Sequence, residues 1–128
     1  MTGTIAARLG ITPGTSLWFS PIEWLSMLGP LPPGVRVSGE FAGATVAVVF
    51  VSNANNVRWF VTTHRTSMTM ARTIWVCYPT RGRSDFTRAT LDTQLAGHGL
   101  HTLAEVPFDA NYTALHVSPF ARPGPAAG

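Results

Sequence analysis

The stretch Thr73-Ile-Trp-Val-Cys-Tyr-Pro-Thr-Arg-Gly-Arg-Ser-Asp-Phe-Thr-Arg88 sets how the rest of the chain is read. Its first six residues, Thr73 to Tyr78, are β-branched, aromatic or small, and uncharged. That is the composition of a strand covered on both faces. Pro79 ends the strand, because it has no N–H to give to a ladder. Thr80-Arg81-Gly82-Arg83 is a polar loop, and Ser84 or Asp85 stands where a side-chain oxygen would cap a helix beginning at Phe86. Strand, loop and helix start, in that order, put the loop at the strand's carboxyl end, where open α/β sheets bind ligands.

On either side of this stretch, strand and helix signals alternate. Thr4 to Leu9 reads as a short helix stopped by Gly10, and Ser16 to Ser20 as a short strand. Ser20, Pro21 and Glu23 are start signals for a helix with Trp24, Leu25 and Leu28 on its apolar face, ended by Gly29-Pro30. Val35-Arg36-Val37 reads as a brief strand, and Thr45 to Val51 as a central one with both faces covered. The link between them is too short for a crossover helix. Two explanations stay open: the Val35 strand is antiparallel, or a helix has been lost. Asn53 caps a long helix whose buried stripe is Val57, Phe60, Val61, His64 and Met68, with Trp59 beside it as an exposed anchor. The helix from Phe86 to about Ala96 turns Leu91 and Leu95 inward. Strands at about Leu100 to Val106 and Tyr112 to Ser118 should pair as a hairpin.

These elements predict one α/β domain over residues 1–120, followed by a disordered Pro/Gly-rich tail at 121–128. The sheet is expected to be small and mostly parallel, Rossmann-like in its methyltransferase-like variant, flanked by helices and closed by an antiparallel hairpin. Length agrees, since 128 residues support one core and not two.

Charged residues make up 12% of the chain, about half the usual share, which predicts self-association or a protein partner. The net charge of +3 comes from nine arginines and no lysine. Outside Arg81, Arg83 and Arg88 the arginines are scattered, not arrayed in the stripe a nucleic-acid binder carries. The first residues have no hydrophobic signal region, and the apolar run Ala42 to Val51 is about half a membrane span, so the expected location is cytoplasmic.

Several chemistries lack their residues. A chain without lysine has no P-loop, and no Gly-x-Ser-x-Gly elbow is present. The turn after the first strand, Phe19-Ser20-Pro21-Ile22-Glu23-Trp24, has no glycine through which backbone could approach a dinucleotide or S-adenosylmethionine, so no cofactor is expected. Cys77, the single cysteine, sits mid-strand and reads as a buried, inert thiol. His98, His101 and His116 have a metal-like spacing but no carboxylate in step, and no metal is expected. His64 reads as a satisfied core histidine. With no catalytic constellation in view, the expected role is non-catalytic binding, with a degenerate methyltransferase-like or phosphate-ester enzyme as the alternative and a weak nucleic-acid binder, resting only on the positive charge, as the second alternative.

Leu9-Gly10-Ile11 with Pro13-Gly14, Leu28-Gly29 with Leu31-Pro32 and Gly34-Val35, Ile74-Trp75-Val76, Tyr78-Pro79 and Gly99-Leu100 together resemble a family of small bacterial proteins known as domain of unknown function 3052. The resemblance implies an α/β fold and carries over no catalytic residue. What remains is the arginine loop. Arg81, Arg83, Ser84, Asp85 and Arg88 at a helix start would make an anion site. The same residues also read as a solvated loop in which Asp85 pairs with one arginine.

Overall fold

A computed structural model describes residues 5–41, 44–68, 73–81 and 86–119. The expected tail, together with Arg83, Ser84 and Asp85, lies outside them. In chain order the elements are α1 (Ile5–Arg8), β1 (Ser16–Ser20), a 3-10 helix (Ile22–Leu28), β2 (Arg36–Val37) and β3 (Val46–Phe50), then α2 (Ala54–Met68), β4 (Thr73–Pro79), α3 (Arg88–Gly97), β5 (Leu100–Pro107) and β6 (Tyr112–Pro119).

The six strands form one sheet in the order β2-β1-β3-β4-β6-β5. β2, β1, β3 and β4 run parallel, and β6 is antiparallel both to β4 and to β5. The fold is therefore the expected Rossmann-like sheet with a closing hairpin. The hairpin is turned so that its second strand lies inside the sheet and its first at the edge.

Alternating side chains divide the core into two layers. Ala47 and Val49 of β3, with Ile74, Val76 and Tyr78 of β4, face Val57, Phe60 and Val61 of α2 and Leu91 and Leu95 of α3. Val46 and Val48, with Trp75 and Cys77, face the opposite layer of Ala6, Leu9, Ile11, Leu28 and Phe108. That second cover is thin, and polar contacts tie it down. The Trp75 Nε1–H donates to the Leu9 carbonyl at 2.7 Å, and the Arg8 guanidinium donates to the Phe108 carbonyl at 2.9 Å.

β2 pairs with β1 in parallel, which excludes the antiparallel explanation left open by the sequence. The short return from β2 to β3 has a single aromatic where a helix would lie. Phe41 is buried against Trp18, Phe60 and His64, with ring centroids 4.9, 5.8 and 4.9 Å away.

Two helix starts differ from expectation. The segment after β1 is a 3-10 helix with Pro21, not Ser20, at its N-cap, and no side chain caps it. A seven-residue piece without a cap, closed by Gly29 at φ +75°, suits the tighter winding common in short connectors. Of its expected apolar face only Leu28 is fully buried, and Trp24 is 37% exposed. α3 begins at Arg88, and its cap is Thr87 instead of Ser84 or Asp85. Thr87 Oγ1 accepts from the Thr90 N–H while Thr90 Oγ1 accepts from the Thr87 N–H, a capping box with threonine in the usual Glu/Gln place. Phe86 is thereby left outside the helix and buried in the core. Among the described residues no helix is long and apolar enough to cross a membrane.

Candidate functional site

The strand order creates a switch point. From β1 the chain leaves toward β2, and from β3 it leaves toward β4 on the other side. The loops after β1 and β3 therefore diverge and open a crevice at the carboxyl ends of these strands, where α/β sheets place ligands. A cleft of about 260 Å³ lies there, lined by Ser20, Pro21 and Trp24 on one side and Phe50, Ser52, Asn56 and Trp59 on the other.

Each wall is held from below. The Trp24 ring meets Phe50 edge-on at 5.3 Å, and Phe50 packs in turn against Phe19, Phe108 and Tyr112. On the opposite wall Asn53 Oδ1 accepts from the Asn56 N–H at 2.8 Å, and Asn56 Oδ1 accepts from the Ser52 N–H at 2.9 Å. This reciprocal pair starts α2 and pins Asn56 at the cleft through its oxygen, leaving the Nδ2 amide free to donate. Trp59, one turn on, is 56% exposed as its place beside the stripe predicts. The hydroxyls of Ser20 and Ser52 have no partner among the described residues. Among the described residues no charged side chain lines the cleft. It offers two indole faces, two hydroxyls and one amide donor.

The arginines are placed differently from one another. Arg81 is exposed, and its guanidinium has no partner among the described residues. It lines a second cavity of about 220 Å³ with Pro79, Ala110, Asn111 and Tyr112. Arg88 is engaged: its Nε donates to Asp92 at 2.9 Å, and it also pairs with Glu105. Thr102 donates to the other oxygen of Asp92 at 2.9 Å, so these groups fasten α3 to β5. The structure thus brings Arg81 to the sheet's carboxyl edge and directs Arg88 away to an internal network.

Cys77 is fully buried, and desolvation, with a smaller contribution from the charge of Asp109, pushes its thiol pKa far up. His64 is not the satisfied histidine expected. It stands at a non-helical turn inside α2 (φ −113°, ψ 15°) among Trp18, Phe41, Trp59 and Phe60, and its buried Nε2 has no partner among the described residues. Desolvation lowers its pKa, as it does that of His116, which packs on Trp75. Among the described residues no three His, Cys, Asp or Glu side chains converge to hold a metal.

Sequence reasoning passed over the cleft. It treated Phe19 to Trp24 only as a turn lacking glycine, and Asn56 and Ser52 carry no motif. The available signal was topological: two strands whose chains depart in opposite directions.

No protein-family model and no curated protein matches the chain. Solved structures do resemble it. A protein of the NADB-Rossmann superfamily from Streptococcus agalactiae aligns with a TM-score of 0.53 at 11% identity, over 95% of this chain and 70% of that one. Sp1610 of Streptococcus pneumoniae, a proposed tRNA methyltransferase in complex with S-adenosyl-L-methionine, aligns with 0.54 at 14% identity, over 92% and 71%. The O-methyltransferase NcsB1 from neocarzinostatin biosynthesis, solved with S-adenosylmethionine and 2-hydroxy-5-methyl naphthoic acid, aligns with 0.53 at 13% identity, over 89% of this chain and 50% of that one. At such identities the likeness establishes the fold, a Rossmann-like sheet of the kind methyltransferases use.

Proposed function

We propose that this protein is a ligand-binding domain on a methyltransferase-like frame, and that its switch-point cleft takes a planar, uncharged heteroaromatic group of purine size. The observation that carries this is the lining itself. Trp24 and Trp59 bring indole rings on which a planar group can stack, and the Asn56 amide, without a partner among the described residues, can donate, which suits a ring nitrogen and not a hydrocarbon edge. A mainly apolar cleft with a few placed polar groups is the usual form of a small-molecule site. Among the described residues the lining holds no acid, base or thiol, so binding without acid–base chemistry is the reading it supports.

A second reading, an adenosyl-bearing cofactor, is favoured by the neighbours solved with S-adenosylmethionine and by one residue here. Glu40 follows β2 at the same sheet edge, 20 positions after Ser20. In dinucleotide folds an acid about 20 residues on bonds the ribose. Against it stands the turn after β1, where Pro21 and Trp24 occupy positions at which glycines let backbone meet a cofactor. Calorimetry with adenosine, S-adenosylmethionine and S-adenosylhomocysteine separates the two. Adenosine binding that Trp59→Ala weakens and Glu40→Gln leaves alone supports the first reading. Binding of the cofactors alone, lost in Glu40→Gln and kept in Trp59→Ala, overturns it.

A further inference from the structure

Beside the cleft lies a group of donors with no acceptor among the described residues. Arg81, Asn111 and Tyr112 line the 220 Å³ cavity at the end of β4. The Arg81 guanidinium, the Asn111 side-chain amide and the Tyr112 hydroxyl make no hydrogen bond with the described residues. The cavity's frame is nevertheless fixed. The Thr80 N–H donates to the Asn111 carbonyl at 2.8 Å, and Thr80 and Thr113 share a hydroxyl bond at 2.9 Å. One oxygen of the nearby Asp109 carboxylate is held by backbone, since Oδ1 accepts from the Asn111 and Tyr112 N–H groups at 2.7 and 2.9 Å. A cation, an amide and a phenol around one cavity complement an anion, and the fork of an arginine suits phosphate or carboxylate oxygens.

The two cavities share a wall. Tyr112 lines the second, and its ring stands 5.1 Å from Phe50 and 6.1 Å from Trp24, both of which line the first. We infer that they are two halves of one site: an aromatic group stacks at Trp24 and Trp59 while an anionic arm on the same molecule crosses Tyr112 to Arg81. The ligand class is then a purine-type ring bearing a phosphate, of which a nucleoside monophosphate is the simplest form. This inference rests on the reading of the cleft given above. It moves the expected anion site from the α3 start to the turn between β5 and β6, with Arg81 as the residue common to both.

Adenosine and adenosine 5′-monophosphate, titrated into the full chain under identical conditions, make the test. The expected result is that the monophosphate binds at least about tenfold more tightly, as a charge-assisted contact should give. Arg81→Ala should remove that advantage and its salt dependence while leaving adenosine affinity unchanged, and Asn111→Ala should reduce it in part. Arg81 is exposed and has no partner among the described residues, so its replacement should not impair folding, which thermal melting checks. If adenosine binds and the monophosphate gains nothing, or keeps its gain in Arg81→Ala, the joined site is wrong and the aromatic cleft stands. If neither molecule binds at millimolar concentration, the cleft reading fails, and this inference with it.

Discussion

Replacing Phe41 by Ala tests how this small sheet does without a crossover helix. Phe41 is 3% exposed and sits on Trp18, Phe60 and His64, closing the α2 side of β1 where a helix between β2 and β3 would otherwise lie. A buried aromatic side chain removes at least about 150 Å² from water. At about 25 cal/mol per Å² that is worth about 4 kcal/mol, within the range of about 3–5 kcal/mol measured for Phe→Ala in cores. Against a total of about 5–15 kcal/mol for a domain, such a loss is severe. Urea denaturation followed by tryptophan fluorescence should show a midpoint lowered to match, with the slope unchanged. The same variant should let water reach His64 and raise its pKa back toward the ordinary imidazole value, read from its ring proton shifts. A loss below about 1 kcal/mol, the usual reach of a surface change, with His64 titrating as in the parent, would refute the assignment of Phe41 as the cover.

Three further outcomes follow from named contacts. His64 and His116 have folded pKa values lowered by burial, so their neutral forms favour the fold. That contribution is complete above the unfolded imidazole value near 6.5 and is lost as pH falls from there through the lowered folded values, so denaturation midpoints should drop on acidification across that window, and His64→Phe should flatten the drop. The Cys77 thiol, fully buried and with its pKa pushed up, should react with a thiol reagent only at the rate of unfolding, and labelling of the native protein as fast as in denaturant would contradict its burial. Thr87→Ala removes the cap of α3 and should cost about 1 kcal/mol by urea denaturation, and a loss near zero would contradict its capping role.

How much of this was legible beforehand depended on whether a signal was local. β1 was read to the residue and β3 and β4 nearly so, because unbroken apolar runs such as Val46 to Val49 have few other uses. Thr87 was missed as a cap because its partner at the third position is Thr90 and not an acid or amide, a pattern that looks like an ordinary polar run. The direction of β2 was undecidable, since what makes a parallel return feasible is one aromatic, Phe41, packed on residues far away in sequence. Arg88 looked free for the same reason: one of its partners, Glu105, lies on another element. The cleft was hidden most completely. Ser20, Ser52, Asn56 and Trp59 come from two chain segments and meet only because β1 and β3 are neighbours whose chains part in opposite directions.

Binding of a purine-like ring between Trp24 and Trp59 in the switch-point cleft can be tested in one spectrum, through the four tryptophans. Trp24 and Trp59 are 37% and 56% exposed at the cleft, whereas Trp18 and Trp75 are 8% and 5% exposed in the core. In a proton–nitrogen correlation spectrum the four indole Nε1–H signals can be assigned by single Trp→Phe replacements and followed while adenosine is added. The Trp24 and Trp59 signals should move together along one saturating curve, while those of Trp18 and Trp75 stay fixed. Indole signals that do not move at millimolar adenosine, or movement confined to Trp18 and Trp75, would contradict it.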